Sequence, residues 1–178
     1  MRYIFQMIEP AATRMPLESG ATAKLRRRML NPFLMRGFFL AKLPLALVAG
    51  LRLRELNEER CVATVPYGWR STNPFRSTYF AALSMAAELS TGALAMAAVE
   101  SAPRPVAMLI TGLTASFEKK ATGLTTFTCT DGPKVFEAVA RTIATGEPVV
   151  VEMPTVGTSP DGVVVARFTF TWSFKVRK

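Results

Sequence analysis

The sequence contains no histidine. This removes every Ser-His or Cys-His nucleophile pair and every imidazole metal site. General acid or base work near neutral pH is left to Glu, Asp, Lys, Tyr or Cys. Cysteine is nearly absent as well. Cys61 and Cys129 lie far apart in the chain without metal-type spacing, and they read as small core residues of a reducing compartment. The expected location is cytoplasmic and no metal site is expected. Acidic residues are scarce, 13 against 22 basic ones, which leaves a net charge of +9 over 178 residues. Such a balance favours an anionic partner: nucleic acid, an acidic membrane surface or a phosphate-bearing cofactor. No zinc-finger, helix-turn-helix or aromatic RNA-binding pattern supports nucleic acid. The N-terminus carries Arg2 but neither the apolar region nor the cleavage site of a secretory signal.

Apolar residues make up 49% of the chain, enough for one domain over 1–178 with a substantial core. One stretch dominates. From Ser77 to Val99 the only charged side chain is Glu88. The stretch reads as a helix that is apolar all round and has to be buried. It is long enough to span a bilayer, but its Ala, Ser and Thr content and the mid-span carboxylate argue against a transmembrane role. Asn31–Leu51 is also apolar, but Arg36, Lys42 and Pro44 interrupt it. A carboxylate in so apolar a segment is costly to desolvate unless it is paired, protonated or needed. Glu88 is therefore either a structural carboxylate, paired with Arg70 or Arg76 or hydrogen-bonded to a neighbouring strand, or a functional one.

Around this helix the pattern is mixed. Residues 1–20 are weakly patterned and make either a loose arm or part of an N-terminal helix. Residues 21–47 read as an N-terminal helical region. Leu51–Leu56 and Arg60–Val65 read as a hairpin across a turn at Asn57–Glu59. A loop rich in breakers, Pro66–Phe75, leads to the long helix, for which Ser77 or Thr78 is a plausible N-cap. Gly92 inside that helix suggests close packing against a neighbour. Val106–Glu118 is a long strand that turns at Lys119–Gly123 and returns as Leu124–Thr130. An amphipathic helix over Lys134–Thr145 ends at Gly146. Val149–Val156 is a strand interrupted by Pro154. In Val163–Val176, Phe168, Phe170, Trp172 and Phe174 share one face. The fold class is α+β, with an antiparallel sheet curled around the helix at about 77–99.

The run NPFRSTYFAALSMAAELSTG, Asn73 to Gly92, resembles the helix signature of a thioesterase-like hotdog family whose activity is mostly unassigned. The resemblance covers about Leu30 to Val176. More broadly the chain is similar to acyl-CoA thioesterases of the phenylacetyl-CoA and hydroxybenzoyl-CoA type. Those carry His-Gly-Gly at the helix start and an acidic residue eight positions after the histidine. Here Phe80-Ala81-Ala82 stands in place of His-Gly-Gly, and Glu88 matches the acidic position. The resemblance implies a hotdog fold, a homodimer or dimer of dimers with sites formed across subunits, and an acyl-CoA or acyl-carrier-protein substrate. No cofactor is implied beyond the coenzyme A moiety of the substrate. Related dehydratases use a catalytic histidine, which this chain lacks.

Thioester hydrolysis needs a polarised carbonyl and an activated water. The N–H groups at the start of a buried helix, those of Ala82 and Ala81, are suited to the first task. Glu88 is suited to the second as general base, or to attack as nucleophile. Asn73 either orients water or the thioester, or makes an Asx-type turn before Pro74. Ser77 and Thr78 line the site or cap the helix. Tyr79 and Phe80 line an acyl pocket or belong to the core. Lys119 and Lys120 meet the phosphates of coenzyme A or are merely solvated. The other reading of the whole chain is a non-catalytic acyl-CoA or lipid-binding module on the same scaffold.

Overall fold

The computed structural model describes residues 20–177. The arm expected at 1–20 therefore lies, but for Gly20, outside the described residues. The N-terminal helical region is three helices rather than one: α1 (Gly20–Leu30), α2 (Pro32–Lys42) and α3 (Pro44–Ala49). Each break sits just before a proline, which suits the first turn of a helix but not its interior. Asn31 caps α2, its Oδ1 accepting from the N–H groups of Phe33 and Leu34 at 3.0 and 3.1 Å. Gly50 ends α3 in the left-handed region.

The expected hairpin follows as β1 (Arg52–Leu56) and β2 (Cys61–Val65), paired antiparallel. The Asn57 side chain closes its turn by accepting from the N–H groups of Glu59 and Arg60. The long helix, α4, runs from Phe80 to Glu100, so it starts three residues later than the first expected cap. Tyr79 occupies the N-cap and makes no side-chain cap bond. Thr78 instead binds sideways: its N–H and its hydroxyl both donate to the carbonyl of Ala121, at 2.8 and 3.0 Å.

After α4 come β3 (Val106–Phe117), β4 (Thr125–Cys129), α5 (Gly132–Thr145), β5 (Val149–Thr158) and β6 (Val164–Val176). The six strands form one antiparallel sheet in the order β1-β2-β4-β5-β6-β3. The chain does not return from β3 to pair with it. β4 crosses to the far side and slots between β2 and β5, while β3 pairs with β6. The crossing segment passes the start of α4, where Ala121 receives the two Thr78 bonds.

α4 touches all six strands and α5 besides, so the sheet wraps it as a hotdog fold requires. Only its small residues permit this. Ala86, Ala87, Ala93, Ala95 and Ala98 are buried and let strands approach on several sides. Of the residues α4 turns toward the sheet, the polar ones are satisfied in place. The Ser90 hydroxyl pairs with that of Thr155 at 2.8 Å, and Trp172 Nε1 donates to Thr91 Oγ1 at 3.1 Å. Phe168, Phe170, Trp172 and Phe174 are buried along β6, as their alternation predicts. Pro154 does not interrupt β5. β4 pairs only with Val156–Thr158, so at Pro154 one side of β5 has no ladder to lose.

Cys61 and Cys129 face each other in the β2–β4 register as buried, free thiols. Burial pushes both thiols up, that of Cys129 to about 11, so they are inert core groups.

Candidate functional site

The expected site residues fall into two groups at different heights on α4. The first gathers at its start. Asn73 organises the loop leading in: its Oδ1 accepts from the N–H of Phe75 at 3.0 Å, the N–H of Ser77 at 3.2 Å and the Ser77 hydroxyl at 3.3 Å. The Asx-type turn is thus the role the fold gives this side chain, and its carbonyl oxygen is occupied. Arg76 in this loop takes a left-handed φ of 58° and is exposed. Ser77 and Thr78 are buried.

Tyr79 and Phe80 are about half exposed and lie edge to face, with ring centroids 4.8 Å apart. Phe80 also meets Phe117 at the end of β3, at 6.4 Å. These rings sit at the rim rather than in the core. Lys119 and Lys120 are exposed beside them, and Lys120 Nζ donates to the carbonyl of Phe75 at 3.3 Å. The helix start, the aromatic pair and the lysines therefore share one end of the molecule. Here the N–H of Ala82 already donates to the Tyr79 carbonyl at 2.9 Å, while that of Ala81 has no acceptor among the described residues.

The second group surrounds Glu88. Two turns up α4, its side chain is the only ionisable or polar one on the wall of a cavity of about 60 Å³. The cavity is walled by Met29 of α1, Met35 and Phe38 of α2, Leu43, Met96 of α4 and Met108 of β3. Glu88 is half-buried, and its carboxylate makes neither a hydrogen bond nor an ion pair among the described residues. The arginines that were candidates to clasp it are elsewhere. The Arg70 guanidinium lies over Gly50, and Arg76 is exposed in the loop before α4. With no cation among the described residues to offset burial, desolvation holds the Glu88 carboxyl above its ordinary value.

Gly92, one turn beyond Glu88, gives this carboxylate its room. A Cβ there would stand 2.8 Å from Glu88 Oε1 and 3.4 Å from the Trp172 ring. The close neighbour expected of Gly92 is in large part the carboxylate itself. Beneath it, the Thr91 hydroxyl donates to the Glu88 carbonyl at 3.1 Å and accepts from Trp172, which fixes the turn that carries Glu88. The methionine walls were not singled out from sequence. Three of the four come from α1, α2 and β3, and only packing brings them to Glu88; Met96 lies two turns beyond it on α4. The spacing of Glu88 and Gly92, one helical turn apart on one face, was the available signal.

Ala82 and Glu88 are separated by roughly 9 Å of helix rise. The two groups do not meet on one carbonyl within a single chain.

The family described as Domain of unknown function (DUF4442) matches residues 33–174. No curated protein matches the chain. Among solved structures, a Pseudomonas aeruginosa protein of unknown function, described as a "Probable Thioesterase", is similar over 84% of this chain and 99% of its own, at TM-score 0.70 and 20% identity. A variant of another Pseudomonas aeruginosa thioesterase is similar over 80% of this chain and 93% of its own, at TM-score 0.60 and 14% identity. A thioesterase from Haemophilus influenzae is similar over 77% of this chain and 86% of its own, at TM-score 0.57 and 12% identity. At these identities the likeness is one of fold.

Proposed function

Because the chain belongs to the DUF4442 family, whose name assigns no activity, we propose a function from its geometry: hydrolysis of an acyl thioester, with Glu88 as the catalytic carboxylate. The carrying observation is a carboxylate, unpaired among the described residues, on an otherwise apolar wall. A raised pKa makes a carboxylate a better base at neutral pH. Glu88 takes a proton from water as the oxygen attacks the thioester carbonyl, or attacks that carbon itself through an anhydride that water then opens. The free N–H of Ala81 at a helix start binds the oxygen as it becomes negative. When the C–S bond breaks, its electron pair leaves with the thiolate, which takes up a proton. The thioesterases of similar fold support this reaction class, and the methionines suit an acyl chain of variable shape.

A dimer joins the two groups. β3 pairs with β6 on one side only, so its other edge is open among the described residues. At one end of β3, Phe117 meets Phe80 beside the start of α4; at the other, Met108 lines the Glu88 cavity. Two copies paired antiparallel along this edge would set the helix start of one against the cavity of the other. Lys119 and Lys120 would then lie beside the same entrance, where the phosphates of coenzyme A or of a carrier protein's prosthetic arm would meet them.

The test is thiol release from a panel of acyl-CoA substrates by the wild type and Glu88→Gln. Wild-type turnover with a loss of about 10²- to 10⁴-fold in the variant is expected for a lost general base. Binding of acyl-CoA without turnover would instead make the chain a non-catalytic acyl-CoA or lipid-binding module. That second reading draws on the predominantly apolar cavity and on Phe80-Ala81-Ala82 standing in place of His-Gly-Gly.

A further inference from the structure

The charge of the chain is not spread evenly. Between residues 20 and 51 there are six cations, Lys24, Arg26, Arg27, Arg28, Arg36 and Lys42, and no acidic residue. All six are exposed and none joins an ion pair of the described residues. The same segment holds the most exposed apolar side chains of the helices. α2 buries Met35 and Phe39 on one face. On the opposite face, Phe33 is 78% exposed and Leu40 68%, with Leu34 flanking them. At about 100° per residue, Phe33, Leu34, Gly37, Leu40 and Ala41 fill one sector without a charge. Leu45 and Val48 of α3 extend it into solvent. A helix apolar on both faces, with cations around its outer one, is unlike an ordinary solvated surface helix.

We propose that the α2–α3 face docks on an anionic lipid surface. Phe33, Leu34, Leu40, Leu45 and Val48 enter the boundary between headgroups and acyl chains, and the cations of α1 and α2 meet the headgroups. Charge decides the occupant. A second copy on this face would bring Arg36 and Lys42 of α2 against their own counterparts, with no acidic residue of 20–51 to offset them. Residues 1–19 carry Arg2 and Arg14 against Glu9 and Glu18 and offer no net complement. An anionic bilayer satisfies the apolar face and the cations at once. Docking sets the Glu88 cavity just behind the bound helix, because Met35 and Phe38 of α2 line it. The inference stands apart from the thioesterase reading, and its test needs no turnover.

The full chain is sedimented with vesicles of phosphatidylcholine alone and of phosphatidylcholine mixed with phosphatidylglycerol. Binding to the mixed vesicles, weaker by about tenfold or more without phosphatidylglycerol and weakened by salt, is expected. Phe33→Gln/Leu40→Gln/Leu45→Gln and, separately, Arg26→Glu/Arg27→Glu/Arg28→Glu should each lower it by about tenfold or more, with unchanged circular dichroism. No binding to either vesicle overturns the proposal. So does equal binding by wild type and both variants. A fall in sedimentation mass for the Gln variant would show that a second copy covers the face, and this too would overturn it.

Discussion

At Glu88 the energetics and the chemistry pull in opposite directions. Its carboxyl pKa in the fold lies above its value in the unfolded chain. The fold therefore carries no ionisation penalty below the unfolded pKa and a growing one as pH rises through the folded pKa. Glu88→Gln should raise Tm relative to wild type, by an amount that widens from acid to alkaline pH; a scanning-calorimetry series measures this. A gap constant with pH would mean that the Glu88 carboxyl pKa does not differ between the folded and unfolded chain, contrary to its burial. Gly92→Ala separates position from stability. Its Cβ would stand 2.8 Å from Oε1, so the carboxylate has to move. A displacement of about 1 Å lowers catalysis by up to roughly 10²-fold, while the helix gains about 1 kcal/mol of propensity. Thiol release should fall while Tm holds or rises. Glu88 stands out in the sequence because it is the one charge in an apolar run. What surrounds it was not legible there, because Met29, Met35 and Met108 reach it from elements distant in the chain.

Elements whose ends are set by local chemistry were the readable ones. The β1–β2 hairpin, the α5 stop at Gly146 and the alternating face of β6 follow from turn residues and periodicity. Non-local choices were hidden. β3 and β4 have the pattern of a hairpin, but enclosing α4 sends them to opposite parts of the sheet. Ser77 and Thr78 have the composition of a cap, but the crossing segment at Ala121 claims Thr78. Asn31 is a cap that does act: two N–H groups donate to it. Asn31→Ala should cost about 1 kcal/mol. For a chain of this size that lowers Tm by roughly 2–4 °C, provided α2 unfolds together with the core into which Met35 and Phe39 are packed. A thermal melt checks this.

The whole molecule is a sheet wrapped around one apolar helix. α4 is long and apolar enough to cross a bilayer, and 72% of its most apolar window is buried inside the fold. One sheet edge, β3, is long and open among the described residues, and the dimer proposed along it predicts twice the 19.5 kDa chain mass in sedimentation equilibrium. Leu109→Lys, on this edge strand and 66% exposed, tests the same pairing. It should shift the equilibrium toward single chains and reduce thiol release in parallel. The account rests most heavily on a desolvated Glu88 performing the chemistry, and the pH dependence of kcat/KM for thiol release tests that most directly. It predicts an ascending limb whose apparent pKa lies above the ordinary carboxyl value of 4.5 and which Glu88→Gln abolishes. A profile flat through that range, or the same limb in the variant, would contradict it.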